Sequence, residues 1–304
     1  GIGDLSGGLS SGYLANLTDF LKRAGAHHLF VIITLDWTPD VAPYRDLVWQ
    51  QCCDLFNDVN LHILTEGGVQ GNAQFFSDLV QGLTVQGAPL DAILAYELRN
   101  ELYFASDQPP LRLTSGTVTT ANGQTYDMAD PASKQQMMDE NLAYWTDRMR
   151  SAILALDPSA LVTVGFFQPQ QPNPTRIGDP RVIQPYPGIS NSTADFVDLH
   201  AYPGLELTLP QYVENYGMSA YLGKPVMMGE IGAFKFAYDT AEIAAQAMKS
   251  WQQESCAFGF KGWLVWTWDC DEQPELWNAL SGTGAINSAL APVNRPDPCA
   301  GGTI

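Results

Sequence analysis

The feature that most constrains this chain is the order of its apolar segments. Runs of strand length, Leu29 to Leu35, Ala92 to Tyr96, Leu161 to Phe167, Phe196 to His200, Pro225 to Gly229 and Gly262 to Trp268, alternate with stretches of helical periodicity. Val69, Ala73, Phe76, Val80 and Leu83 recur at steps of four and three, and so do Met138, Leu142, Trp145, Met149, Ala152 and Leu156. Residues so spaced share one face of an α-helix. Asp157-Pro158 closes the second helix, Tyr13 to Ala24 reads as an earlier one, and Asp239 with Glu242 reads as the capped start of another ending near Trp251. Strands and helices in alternation predict parallel βα units, with helices covering a sheet.

Two stretches interrupt the alternation. Between Ser106 and Ala132, Thr117 to Thr120 and Thr125 to Met128 flank Asn122-Gly123, a turn pair suited to a β-hairpin because both residues tolerate positive φ. The Pro-rich segment Gln168 to Pro187 follows the next strand in the same topological position. No internal repeat, low-complexity linker or domain boundary is visible, so the chain reads as a single domain over residues 1–304 with a hairpin insertion at about 106–132. Upstream, Gly1 to Gly12 reads as a Gly/Ser loop, and only the tetrad Leu61 to Leu64 offers a further short strand before Ala92.

Charge narrows the partners. The formal charge of −18 comes from 33 acidic against 15 basic residues, and a surface so short of Lys and Arg attracts neither nucleic acid nor an anionic membrane. No apolar run reaches the roughly 18 residues of a membrane span. The chain starts at Gly1 with neither initiator Met nor signal peptide, which fits a processed, secreted protein. Five cysteines, Cys52, Cys53, Cys256, Cys270 and Cys299, form no CxxC pair, and the four histidines show no metal-ligand spacing. Structural disulfides are expected, and no metal or cofactor. Gly1-Ile2-Gly3 fits no dinucleotide fingerprint, since no strand precedes it.

Parallel βα folds carry reactive groups where strands end. Here those ends read Glu97-Leu98-Arg99-Asn100-Glu101, His200-Ala201-Tyr202, Glu230 and Trp266-Thr267-Trp268-Asp269. Two carboxylates suit glycosidic cleavage, one protonating the leaving oxygen and the other attacking or stabilising the anomeric carbon. Asn100 could bond a sugar 2-hydroxyl, the Tyr202 hydroxyl could hold the second carboxylate ionised, and an indole offers a flat surface for a pyranose. Trp266 is the first choice for that platform, with Trp268 two residues on facing the same way. Asp36, Trp37, Phe167 and Gln168 are candidates for outer subsites, and the acidic loop of Asp269, Asp271, Glu272 and Glu275 reads as solvated surface.

In this order the marks resemble a clan A retaining glycoside hydrolase and are most similar to glycoside hydrolase family 5, the cellulase and mannanase family. In that clan Asn-Glu ends strand 4, His-x-Tyr ends strand 6, Glu ends strand 7 and Trp ends strand 8, matched by Asn100-Glu101, His200-Ala201-Tyr202, Glu230 and Trp266 or Trp268. The resemblance runs from about Tyr13 to about Trp277. It implies an α/β fold of the (β/α)8 TIM-barrel type lacking its N-terminal one or two βα units in this chain. It further implies Glu101 as acid/base, Glu230 as nucleophile, and carboxyl groups roughly 5 to 5.5 Å apart. The implied substrate is a β-linked glucan or mannan, with no cofactor, and a monomer unless another chain supplies the missing strands. Leu102 stands where the family usually has Pro, Asp36-Trp37 ends strand 3 where it often has His, and no strand 2 Arg is found. A carbohydrate-binding barrel without activity is the alternative.

Overall fold

The computed structural model describes residues 1–5, 7–167, 189–218, 223–269 and 273–300. The chain forms two compact units, Gly1–Val164 with Asn173–Asp195, and Gly165–Pro172 with Phe196–Ile304.

The first unit opens with helix α1 (Ser11–Ala26), whose first turn is capped by the Ser10 hydroxyl accepting from Tyr13 N at 3.3 Å. Strand β1 (Val31–Thr34) follows, then the short helices α2 (Ala42–Val48) and α3 (Val59–Leu64), the long α4 (Glu66–Val85) and strand β2 (Ile93–Glu97). The hairpin β3 (Thr117–Thr119) and β4 (Thr125–Asp127) leads to α5 (Pro131–Leu154) and β5 (Leu161–Thr163). The sheet is three-stranded in the order β1-β2-β5, and its strands run parallel. The face of α4 buries Val69, Phe76, Val80 and Leu83, as the periodicity predicts, with Phe75 and Leu79 beside them and Ala73 half-buried; that of α5 buries Met138, Leu142, Trp145 and Met149, while Ala152 is half-buried and Leu156, beyond the end of the helix, is exposed. Gly123, with φ 79°, closes the hairpin, whose pairs are Thr117↔Asp127, Val118↔Tyr126 and Thr119↔Thr125.

Leu61 to Leu64 is helix, not strand. Short apolar runs do not distinguish the two states by periodicity, and here tertiary bonds decide. Asn60 donates to Ala105 O (2.9 Å) and Pro109 O (3.0 Å) and accepts from Ala105 N (3.0 Å), which anchors a buried helical turn against the loop beyond β2.

In the second unit, β6 (Gly165–Phe166), β7 (Val197–His200), α6 (Leu209–Asn215), β8 (Val226–Ile231), β9 (Ala233–Phe234), α7 (Ala241–Ser255), β10 (Phe260–Val265), β11 (Leu276–Trp277) and α8 (Ser281–Leu290) follow in order. Its four-stranded parallel sheet has the order β10-β8-β7-β6. The apolar run Leu161 to Phe167 is thus two strands, β5 and β6, on either side of Val164. The cap of α7 is Thr240 and not Asp239: its hydroxyl accepts from Ile243 N at 3.3 Å, the three-residue reach that a cap requires. Cys256, at the end of α7, is disulfide-bonded to Cys299. The Pro-rich segment from Gln168 to Pro187, and with it Cys270, Asp271 and Glu272, lies outside the described residues.

Candidate active site

In the second unit the site is set by a register irregularity. Val197 pairs with Val226 and Asp198 with Met227, but His200 pairs with Glu230. Two residues of β7 therefore oppose three of β8. Strand alternation puts Asp198 and His200 on one face, and the same rule would turn Glu230 away from Met227. The extra residue reverses this and brings Glu230 level with His200, as bulges beside active sites do. The partner on the other side agrees, with Trp263 opposite Met228 and Val265 opposite Ile231. Gly229 allows it: a Cβ there would fall on the Asp198 carboxylate.

Two side chains converge on Glu230. The Tyr202 hydroxyl donates to Glu230 Oε2, and His200 Nδ1 lies 3.4 Å from the same oxygen. His200 and Glu230 are 1% and 9% exposed, so the carboxylate is held by partners in a dry setting where hydrogen bonds are strong. Behind them Asp198 is fully enclosed. Burial pushes its carboxyl from 3.8 up to about 6, opposed by the nearby His200 and the Gly229 backbone N–H and reinforced by Glu230, and its Oδ1 has no hydrogen-bond partner among the described residues. Tyr216, from the turn after α6, donates to the His200 carbonyl and fixes the strand end.

Aromatic rings line this end of the sheet. Phe167 and Phe234 flank Tyr202, with ring centroids 6.3 and 5.5 Å away. Trp266 is tied by its backbone N to Ile231 O at 2.9 Å and by its indole N–H to Gln273 Oε1 at 2.8 Å. It is 37% exposed and Trp268 61%, so both offer ring surface to solvent.

The first unit carries the other predicted residues. Asn100 and Glu101 form the turn directly after β2, and Asn100 N donates to Leu35 O at 2.7 Å across the end of β1. Glu101 takes a left-handed backbone, φ 45°, a conformation that costs a side-chain-bearing residue about 1–3 kcal/mol and gathers at functional sites. Two positions back, Arg99 is buried, ion-paired with Asp36 and stacked over Trp37 at 3.8 Å from the ring centroid. The guanidinium thereby braces the β1 loop. Glu97, ending β2, accepts from the Thr34 hydroxyl at 2.7 Å. Sequence reasoning passed over Asp198, Arg99, Tyr103 and His62. Tyr103 has its hydroxyl pushed up by burial and by Asp58, and burial and Arg99 push His62 down to about 4. Asp198 was findable as the strand neighbour two residues before His200; Arg99 and Tyr103 lie on loops that no pattern places, and His62 lies on α3, whose apolar run reads as a strand in the sequence.

No protein-family model and no curated protein sequence matches this chain. Solved structures do. An exo-β-1,4-mannosidase from Opitutaceae bacterium strain TAV5 is similar at a TM-score of 0.55 and 18% identity, over 93% of this chain and 49% of that one. A broad-specificity endoglucanase from an uncultured bacterium gives 0.53 at 14% identity, covering 95% of this chain and 77% of that. An endo-1,4-β-D-mannanase from Thermotoga petrophila RKU-1 gives 0.51 at 15% identity, covering 91% and 78%. The chain thus has the α/β fold of these glycoside hydrolases, and it spans about half the length of the Opitutaceae mannosidase.

Proposed function

We propose that the protein is a retaining β-glycoside hydrolase acting on a β-linked glucan or mannan, with Glu230 as nucleophile and Glu101 as acid/base. The observation that carries this is the Tyr202 hydroxyl donating to Glu230 Oε2. A hydrogen bond to the ionised form favours that form, so Tyr202 keeps Glu230 a carboxylate and, by fixing one oxygen, aims the other at an anomeric carbon. Glu101 protonates the departing oxygen and later takes a proton from water. Asn100, beside the acid, binds the 2-hydroxyl, and His200 orients Glu230. Trp266 is the sugar platform, while Trp268, Phe167, Asp36 and Trp37 extend the binding surface.

The (β/α)8 architecture and a single catalytic domain belong to this reading. What supports further βα units is that β1 and β10 each end their sheet among the described residues. The Cys256–Cys299 disulfide supports an extracellular setting, and no described helix is long and apolar enough to cross a membrane. A reducing-sugar assay across glucan, mannan and xylan tests the function. Glu230→Gln and Glu101→Gln should each lose at least about a hundredfold. Wild-type turnover in either variant, or none by the parent on any glycan, overturns the assignment.

A further inference from the structure

Two tryptophans of the first unit are exposed in one groove. Trp37, after β1, is 44% exposed and Trp49, after α2, is 52% exposed, and both line a groove with Asn57, Asp58, His62 and Gln108. Leaving two indoles in water is costly unless something covers them. The groove is also built and not incidental. Trp37 is clamped by the Arg99 guanidinium at 3.8 Å and by the edge of His62 at 6.0 Å between centroids. Asn57 is fixed by its amide to Gln108 Oε1 at 3.1 Å and by its backbone N to Pro109 O at 3.3 Å. Asp58 holds a left-handed backbone, φ 54°. With Trp37 and Asn57 already held, a ligand binds here at a reduced ordering cost.

The chemistry of the lining selects the ligand. Arg99 is committed to Asp36. Asn72 Nδ2 faces His62 Nδ1 at 3.2 Å, which makes Nδ1 the acceptor and leaves His62 neutral with its proton on Nε2. Among the described residues of the lining, Asp58 therefore faces no positive side chain, and an anion is repelled. A purely apolar ligand would leave two amides and a carboxylate dry. What fits is a molecule with flat C–H faces and many hydroxyls.

We propose that the groove between Trp37 and Trp49 binds a neutral oligosaccharide, pyranose faces on the indoles and hydroxyls on Asn57, Asp58 and Gln108. The saccharide class rests on the glycoside-hydrolase reading; the groove does not. The test is calorimetric titration of the full chain, in a Glu230→Gln background, with cellohexaose and mannohexaose. Trp49→Ala should weaken binding of the preferred hexasaccharide about tenfold, the effect of losing one stacked ring, and Asp58→Asn should weaken it less. Phe20→Ala, which removes an exposed ring of α1, should change nothing. Unaltered affinity in a folded Trp49→Ala protein, no binding of either sugar, or binding of tetramethylammonium in their place overturns the proposal. The two readings fail separately: hydrolysis with Trp49-independent binding sinks the groove alone, and Trp49-dependent binding without hydrolysis sinks the enzyme alone.

Discussion

Gly229 and Asp198 form one steric and electrostatic unit. A methyl at position 229 collides with the Asp198 carboxylate, and because that position carries the extra residue of β8, the strand has to give. Gly229→Ala should therefore cost about 1–3 kcal/mol in thermal denaturation and lower activity further, since Glu230 is the next residue. Asp198 gives a pH signature. Its carboxyl rises from 3.8 to about 6, so between those values the native chain holds a proton that the unfolded chain has released. Stability from this group is full below about pH 4 and is lost as the pH rises through 6. Asp198→Asn should raise stability at pH 7 and flatten the decline between pH 4 and 6. Melting curves across that range check it; an unchanged slope would show that Asp198 does not titrate there.

At the scale of elements, α4 is held by close backbone approach. A Cβ on Gly68 would lie 2.7 Å from His62 Cα and nearer still to the Leu61 carbonyl. Ala is the better helix former by about 1 kcal/mol, yet Gly68→Ala should destabilise by about 1–3 kcal/mol because α3 cannot retreat. A rise in melting temperature would contradict this packing. The C-terminal segment is tied to α7 twice, by the Cys256–Cys299 disulfide, spanning a sequence separation of 43, and by Arg295, which donates to Gln252 Oε1 at 2.6 Å. Closing a loop of that length removes about 4 kcal/mol of chain entropy from the unfolded state. Cys299→Ser should lower the melting temperature of the oxidised protein to that of the reduced wild type, measured side by side.

For the molecule as a whole the decisive measurement is the anomer first released. If Glu230 is the nucleophile, as proposed, double displacement inverts twice and a β-linked substrate should first yield the β-anomer in a time-resolved proton spectrum. The α-anomer appearing first would remove Glu230 from the nucleophile's role and imply a water-activating base. The acidic balance acts at the same scale: a charge of −18 disfavours anionic ligands, by plain repulsion.

Legible from residue order alone are the succession of parallel βα units, the long helices α4 and α5, the hairpin at Asn122-Gly123 and the strand ends that carry Asn100, Glu101, His200, Tyr202 and Glu230. These follow from periodicity and turn chemistry, which act between near neighbours. Long-range contacts are what make Leu61 to Leu64 helical and Arg99 the brace of Trp37, and what places one extra residue in β8 so that Glu230 meets His200 and Tyr202. Each of these depends on a partner distant in the chain: Asn60 on the loop at Ala105 and Pro109, Arg99 on Asp36, Gly229 on Asp198. Local pattern carries no record of such pairings, because the free energy that selects them appears only when the segments meet.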